Sequence, residues 1–225
     1  MKQKDVINIL NFERWMSEDV GRVLHLKEQK WVRHAMRSDR VHNLLQLGGL
    51  PLLDFNLPHD CHYIHLEPSL QHQAQGHTVV ADIHALPFAN ERFDCLILGH
   101  LLEIVSMIDL EEIIRVLAPG GVVYVFGFNL KGYCWFRNVV DKQFMPWSQQ
   151  WFGVHQLKQH MKQYDCYSCA LDYLSSYDTE NGVGLKSICI DFFNDYFPQL
   201  SSLYMMKFIK MEKGHIPTGL ARALT

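Results

Sequence analysis

The sequence predicts an α/β fold: a doubly wound, mostly parallel seven-stranded sheet with helices on both faces. Three observations carry that prediction. Val79-Val80-Ala81, Phe93 to Gly99 and Gly121 to Phe128 are short apolar runs, β-branched or aromatic, and too short for buried helices. Between the last two, Leu110, Ile113, Ile114 and Leu117 recur at helical spacing. That helix stops at Ala118-Pro119-Gly120-Gly121, where proline cannot continue it and a tight turn feeds the next strand. Strand, helix, turn, strand is a βαβ unit, whose strands run parallel and are covered on both faces.

Residues 6–36 are helical in pattern, with Val20, Val23, Leu24, Trp31 and Met36 on one face and an interruption near residues 17–21. They read as a helical N-terminal cover, residues 1–40, ahead of the α/β domain at 41–212. His42 to Leu47 is the first strand and Cys61 to Leu66 the second. Gly48 to Asp60, with two prolines, is an unusually short crossover between them. After the three central strands comes an aromatic insertion, about 130–152, then a helix over 154–164 and a strand over 166–173. A polar loop (175–184), a helix (185–197) and a last strand (201–210) follow, and residues 213–225 read as a tail.

At 225 residues, 48% hydrophobic and with a net charge of −3, the chain is sized for one substantial core and lacks the basic stripe of a nucleic-acid binder. Its longest apolar runs are strand-length, so no membrane span is expected. The start, Met1-Lys2-Gln3-Lys4-Asp5, does not resemble a signal peptide, which makes the cytoplasm the expected compartment. Six scattered cysteines fit reduced thiols better than a disulfide framework. The expected partner is a small molecule.

In an open parallel sheet, ligands collect outside the carboxyl ends of the strands, where the strand order reverses and the loops diverge. That rule singles out Gly48, Glu67, Asp82, Gly99, His100 and Asn129, each at the end of a predicted strand. His100 is read as a contact residue in preference to a general base, and no catalytic residue is assigned. Asn129, Tyr133, Trp135, Phe136, Arg137, Trp147 and Trp151 cluster after the fifth strand, and Asn129 and Trp135 are the candidate substrate-binding residues. Core packing of a lid explains the same aromatics. His59, Cys61 and His65 could share a strand face, and Cys166 and Cys169 have metal-like spacing, but strand positions three apart point to opposite faces and no second pair lies nearby, so no metal site is expected.

Asp82-Ile83-His84-Ala85-Leu86-Pro87-Phe88, then Phe93-Asp94, then Ile114-Arg115-Val116-Leu117-Ala118-Pro119-Gly120-Gly121 resemble the class I S-adenosylmethionine-dependent methyltransferases of the small type 11 family. The resemblance covers roughly Val41 to Asn129. It implies S-adenosylmethionine as cofactor, with Glu67 on the ribose hydroxyls, Asp82 on the adenine amino group and the Ile83 amide on a ring nitrogen. It also implies Gly48, Gly49, Gly99 and His100 near the methionine part and the sulfonium, and methyl transfer to a small or medium-sized, partly apolar acceptor.

The first-strand loop departs from the family's acid-x-Gly-x-Gly-x-Gly pattern. Gln46 stands at the acid, Gly48 keeps the first glycine, Gly49 fills a spacer, and Leu50 and Leu52 replace the other two glycines around Pro51. Leu44 to Gly49 and Gly127-Phe128-Asn129 resemble a bacterial subgroup of small methyltransferase-like proteins with this altered loop. The alternative is a catalytically degenerate methyltransferase fold acting as a binding or scaffold protein. A nicotinamide-dependent oxidoreductase is disfavoured, because no G-x-G-x-x-G follows the first strand.

Overall fold

The computed structural model describes residues 3–37, 39, 41–53, 61–67, 78–105, 108–129, 131–132, 138–141, 153–174 and 201–212. It contains the predicted seven-stranded sheet: β1 (Asn43–Leu47), β2 (His62–Glu67), β3 (Thr78–Val80), β4 (Phe93–Gly99), β5 (Leu117–Phe128), β6 (Cys166–Leu174) and β7 (Leu203–Lys210). Their order is β3-β2-β1-β4-β5-β7-β6. All neighbours pair in parallel except β7, which runs antiparallel to both β5 and β6.

The strands are apolar on alternate residues toward both faces, as a sheet covered on two sides requires. Leu45 and Leu47 of β1, Leu96 and Leu98 of β4, Val123 and Val125 of β5, and Met206 and Phe208 of β7 point into one core. That core is closed by α3 (Leu101–Ile104), α4 (Leu110–Arg115) and α5 (Val154–Lys162), which contribute Leu101, Leu102, Ile113, Leu157 and Met161. Leu44, Cys95, Ile97, Tyr124 and Phe126 point the other way. There α1 (Gln3–Met16) and α2 (Asp19–Met36) form the layer, through Ile9, Phe12, Met16, Leu24 and Val32. The N-terminal helices are thus the second face of the sandwich as well as a cover for the strand ends. Polar anchors fix α2: Trp31 Nε1 donates to Asp172 of β6 at 2.8 Å. Just past α2, Asp39 accepts from Lys207 Nζ at 2.6 Å and from the Tyr124 hydroxyl.

Most boundaries fall within a residue or two of expectation, and two of the differences bear on the site. The fourth helix ends at Arg115, short of Leu117, and β5 begins at Leu117, so the Pro119-Gly120-Gly121 turn lies inside the strand's span. Leu117 pairs with Phe93 before the register shifts and Val122 pairs with Cys95, with Gly120 at φ 76° absorbing the irregularity. Glu67 is the last residue of β2, one position beyond the predicted strand end. The predicted helix at 185–197, the polar loop, the tail and most of the aromatic insertion, including Trp135, lie outside the described residues.

The structure also explains why the Leu-Pro-Phe run and the Arg-Val-Leu run occur together. Arg115 donates through Nη1 to Phe88 O at 2.9 Å and Asn90 Oδ1 at 2.7 Å, and through Nη2 to Leu86 O at 3.2 Å. Glu112 takes Arg115 Nε at 2.7 Å and Leu86 N at 2.7 Å. The hydrogen bond from Arg115 holds the Glu112 carboxyl below its ordinary pKa. One helix end therefore clasps the loop that follows Asp82. Replacing Arg115 by Ala is expected to lower stability by about 1–3 kcal/mol in chemical denaturation, and Lys is expected to restore little, because a point charge cannot span the same fork.

Candidate functional site

The strand order reverses between β1 and β4, and the two turns that leave them touch without side chains. Gly48 and Gly49 adopt φ of 72° and 67°, a region open to glycine. A Cβ on Gly48 would lie 2.9 Å from Gly99 O, and one on Gly99 would lie 2.9 Å from Gly48 O. Beside this contact, Glu67 closes β2, almost buried, with its Oε1 3.7 Å from His65 Nδ1. Past β3, Asp82 Oδ1 accepts from His84 N at 3.0 Å, forming a local turn, while Ile83 and Leu86 go into the core. Gly48, Gly49, Glu67, Asp82, Ile83, Gly99 and His100 thus share the carboxyl edge of four neighbouring strands.

Gln46 is fully buried, and its side chain organises the altered loop. Its Nε2 donates to Gly48 O at 3.0 Å and Leu50 O at 2.8 Å, while its Oε1 accepts from Leu52 N at 3.0 Å and the Tyr63 hydroxyl at 2.8 Å. A carboxylate has no donor for those two carbonyls, so an amide suits this loop path and the family's acid does not. The leucines follow from the same path. Leu50 packs against the cluster of Phe12, Met16, Leu24 and Phe128, and Leu52 is buried with Val32 and Leu44. Both side chains serve the N-terminal layer.

His100 holds a left-handed backbone conformation, φ 54°, at the N-cap of α3 and is 1% exposed. Its Nε2 hydrogen-bonds Glu28 Oε1 of α2 at 2.7 Å, and its Nδ1 lies 3.8 Å from Glu103 Oε2. The rings of Phe12 and Phe128 pack on it with centroids at 5.0 and 4.5 Å. Glu103 Oε1 accepts from Phe128 N at 2.7 Å. Burial alone would lower the His100 pKa, but the Glu28 carboxylate outweighs it and the net shift is upward. Conversely, burial would raise Glu28, and the imidazolium brings it below the ordinary value. Glu103 is pushed up to about 7 by burial, with His100 opposing. Glu28, Glu103 and Tyr204 were not among the residues that the sequence pattern singled out. One signal was present, because Glu28 stands with Leu24 and Val32 on the buried stripe of α2, where a carboxylate needs a partner.

Asn129 sits at the end of β5 with its amide engaged: Nδ2 donates to Ser201 O at 2.9 Å and Oδ1 accepts from Lys131 N at 3.2 Å. It ties β5 to the chain entering β7. Cys166 Sγ and Cys169 Sγ turn to different backbone carbonyls, Tyr164 O and Lys207 O. Among the described residues, no group of three or more His, Cys, Asp or Glu is placed to hold a metal, and no helix is long and apolar enough to cross a membrane.

The seven-stranded, mostly parallel sheet with helices on both faces matches the Rossmann-like fold of solved S-adenosylmethionine-dependent methyltransferases. Residues 51–125, about a third of the chain, match the methyltransferase domain family of type 11. The chain is similar in structure to a methyltransferase from Thermotoga maritima described as a possible histamine N-methyltransferase, with a TM-score of 0.65 and 16% identity over 93% of this chain and 100% of that one. It is also similar to a putative methyltransferase of Haloferax volcanii solved with the Trm112 activator, with a TM-score of 0.55 and 13% identity over 89% and 98%. A putative sarcosine dimethylglycine methyltransferase from Galdieria sulphuraria gives 0.52 and 11% over 83% and 86%. At these identities the likenesses establish the fold. No curated protein matches the chain. Together, the family match and the fold support an S-adenosylmethionine-dependent methyltransferase, with S-adenosylmethionine as the cofactor.

Two outcomes follow from this geometry. Gln46→Glu is expected to lose roughly 3 kcal/mol of stability at neutral pH, because it buries a carboxylate against two carbonyls. Burial raises the folded pKa of such a group, so the loss shrinks as pH falls and denaturation curves at pH 5 and pH 8 should differ accordingly. For Glu103 the sign is the same: its folded pKa, about 7, exceeds the ordinary 4.5, so its contribution is full below 4.5 and lost as pH rises through 7. Wild-type stability should fall across that window by at most about 1.4 kcal/mol per pH unit, with a flatter profile in Glu103→Gln.

Proposed function

We propose that the chain transfers a methyl group from S-adenosylmethionine to a small or medium-sized, partly apolar acceptor, and that its altered first-strand loop is a variant cofactor loop of the kind seen in the bacterial subgroup it resembles. The observation that carries this reading is the close approach of the Gly48-Gly49 and Gly99 turns at the strand-order reversal, with Glu67 ending the neighbouring strand and Asp82 following the next.

The donor set fits the cofactor. Bare backbone at Gly48 and Gly49 suits the methionine part, the Glu67 carboxylate offers two acceptors to the ribose diol, and the Asp82 carboxylate with the Ile83 amide suits the adenine edge. When bound, the cofactor supplies a methyl group already activated on a sulfonium. The protein's part is then to bind, to align the acceptor and to exclude water. Leu50 and Leu52, which motivate the scaffold alternative, are directed into the helical layer, and that alternative is not favoured.

Calorimetric titration of the full chain with S-adenosylmethionine and S-adenosylhomocysteine tests the reading. Binding of both is expected, weakened roughly 10-fold by Asp82→Ala and roughly 100-fold by Glu67→Ala, which removes two charge-assisted bonds. Absence of heat and of any thermal shift at millimolar ligand would overturn it.

A further inference from the structure

Three polar atoms near the carboxyl ends of β4 and β5 and the amino end of β7 are buried and have no hydrogen-bond partner among the described residues: His100 Nδ1, Glu103 Oε2 and the Tyr204 hydroxyl. Each belongs to a residue about 1% exposed. His100 Nδ1 and Glu103 Oε2 face each other at 3.8 Å, and a Cβ on Gly127 would collide with both the Tyr204 hydroxyl and Glu103 Oε1, so Tyr204 and Glu103 meet beside that glycine. Buried polar groups are ordinarily paired, and unpaired ones concentrate where a site must exchange protons or take up a ligand. His100 also keeps a left-handed backbone that a non-glycine residue tolerates only when its surroundings over-determine it. Those surroundings are the Glu28 carboxylate and the Phe12 and Phe128 rings.

The charged and titratable groups around Glu103 come from each packed element. His100 precedes α3, and Glu28 and, behind it, His25 come from α2, with His25 Nδ1 3.9 Å from Glu28 Oε2. Tyr204 comes from β7, and α1 contributes the Phe12 ring, which packs on His100. The Glu28–His100 pair is internally neutral, which leaves Glu103 as the group whose charge is unsettled.

We propose that Glu103 takes up the proton released when a hydroxyl or N–H acceptor is methylated, with His100 and Glu28 as positioning residues behind it, and that the acceptor is of that class and not a thioether. The proposal rests on the cofactor reading above. As the acceptor's lone pair forms the new bond to carbon, the sulfur keeps the electrons of the broken bond, and the acceptor's proton passes to the Glu103 carboxylate. A thioether acceptor has no proton to lose and gives a buried base nothing to do.

Charge makes the exchange self-consistent. A sulfonium at this strand edge favours the ionised carboxylate before transfer, and the neutral sulfur left afterwards favours the protonated one. Glu103 is therefore poised as a base when the methyl donor is present and holds the proton once it is spent. Glu28 acts through His100: by keeping the imidazole charged it holds Glu103 within reach of ionisation despite full burial. Because Glu103 is 1% exposed, proton uptake from a bound acceptor requires the packing around it to open.

The test compares proton release when the full chain binds S-adenosylmethionine and S-adenosylhomocysteine, by calorimetry at pH 7 in two buffers of different ionisation enthalpy. Greater proton release with S-adenosylmethionine is expected, and the difference should be lost in Glu103→Gln. Carboxyl-carbon NMR of the wild type gives the same readout without a variant: Glu103 should titrate at lower pH with S-adenosylmethionine than with S-adenosylhomocysteine. In Glu28→Gln the difference in proton release between the two ligands should shrink, a change that a purely structural role would not produce. Equal proton release with both ligands overturns the proposal and leaves cofactor binding standing. No heat with either removes the cofactor reading and the proposal with it.

Discussion

Two backbone turns that touch without side chains, Gly48-Gly49 against Gly99, fix where everything else at the carboxyl edge can go. A Cβ on Gly48 or Gly99 would stand 2.9 Å from the opposing carbonyl oxygen, so the ends of β1 and β4 meet closely only because those carbons are missing. From this contact the chain diverges in two directions. Gln46 fastens the β1 turn from inside the protein, and His100 continues the β4 turn in a left-handed conformation into α3. At the strand-order reversal this backbone contact stands beside Glu67, which ends β2, and the turn of Asp82 that follows β3.

The second constraint is electrostatic and ties the N-terminal helices to the sheet edge. Taking Glu28 and His100 out of water is unfavourable for each alone, and their 2.7 Å contact offsets that penalty only because both are desolvated together. The same pairing requires α2 to lie where it does, since Glu28 shares its buried stripe with Leu24 and Val32. Helix position, imidazole charge and Glu103 ionisation are therefore one coupled quantity. A change at α2 reaches the strand ends through charge as well as through packing.

Most of the sheet was legible in the sequence because parallel strands buried on two faces leave short, unbroken apolar runs, as in Phe93 to Gly99. The start of β5 was not, because Pro119-Gly120-Gly121 carries every mark of a loop and is nonetheless spanned by a strand whose register shifts at Phe93 and Cys95. Gly48, Gly99 and Asp82 were readable because the strand-end rule needs only the strands. The Glu28–His100 pair was not, since its members lie 72 residues apart and nothing local in either helix names the other. Tyr204 reads as an ordinary aromatic in a strand, and only the missing Cβ of Gly127 shows what its hydroxyl approaches.

The loop from Gln46 to Leu52 shows why a lost motif and a lost function are different inferences. Counted as letters, one acid and two glycines are gone. Counted as interactions, the amide of Gln46 makes four hydrogen bonds, two of which a carboxylate cannot make, and the two leucines bury surface that glycines would leave open. The glycine that the close approach demands, Gly48, is kept, and Gly49 takes the second left-handed position beside it. Substitutions that accumulate after function is lost have no reason to agree with one another. These agree on one loop path and on its packing against Phe12 and Val32.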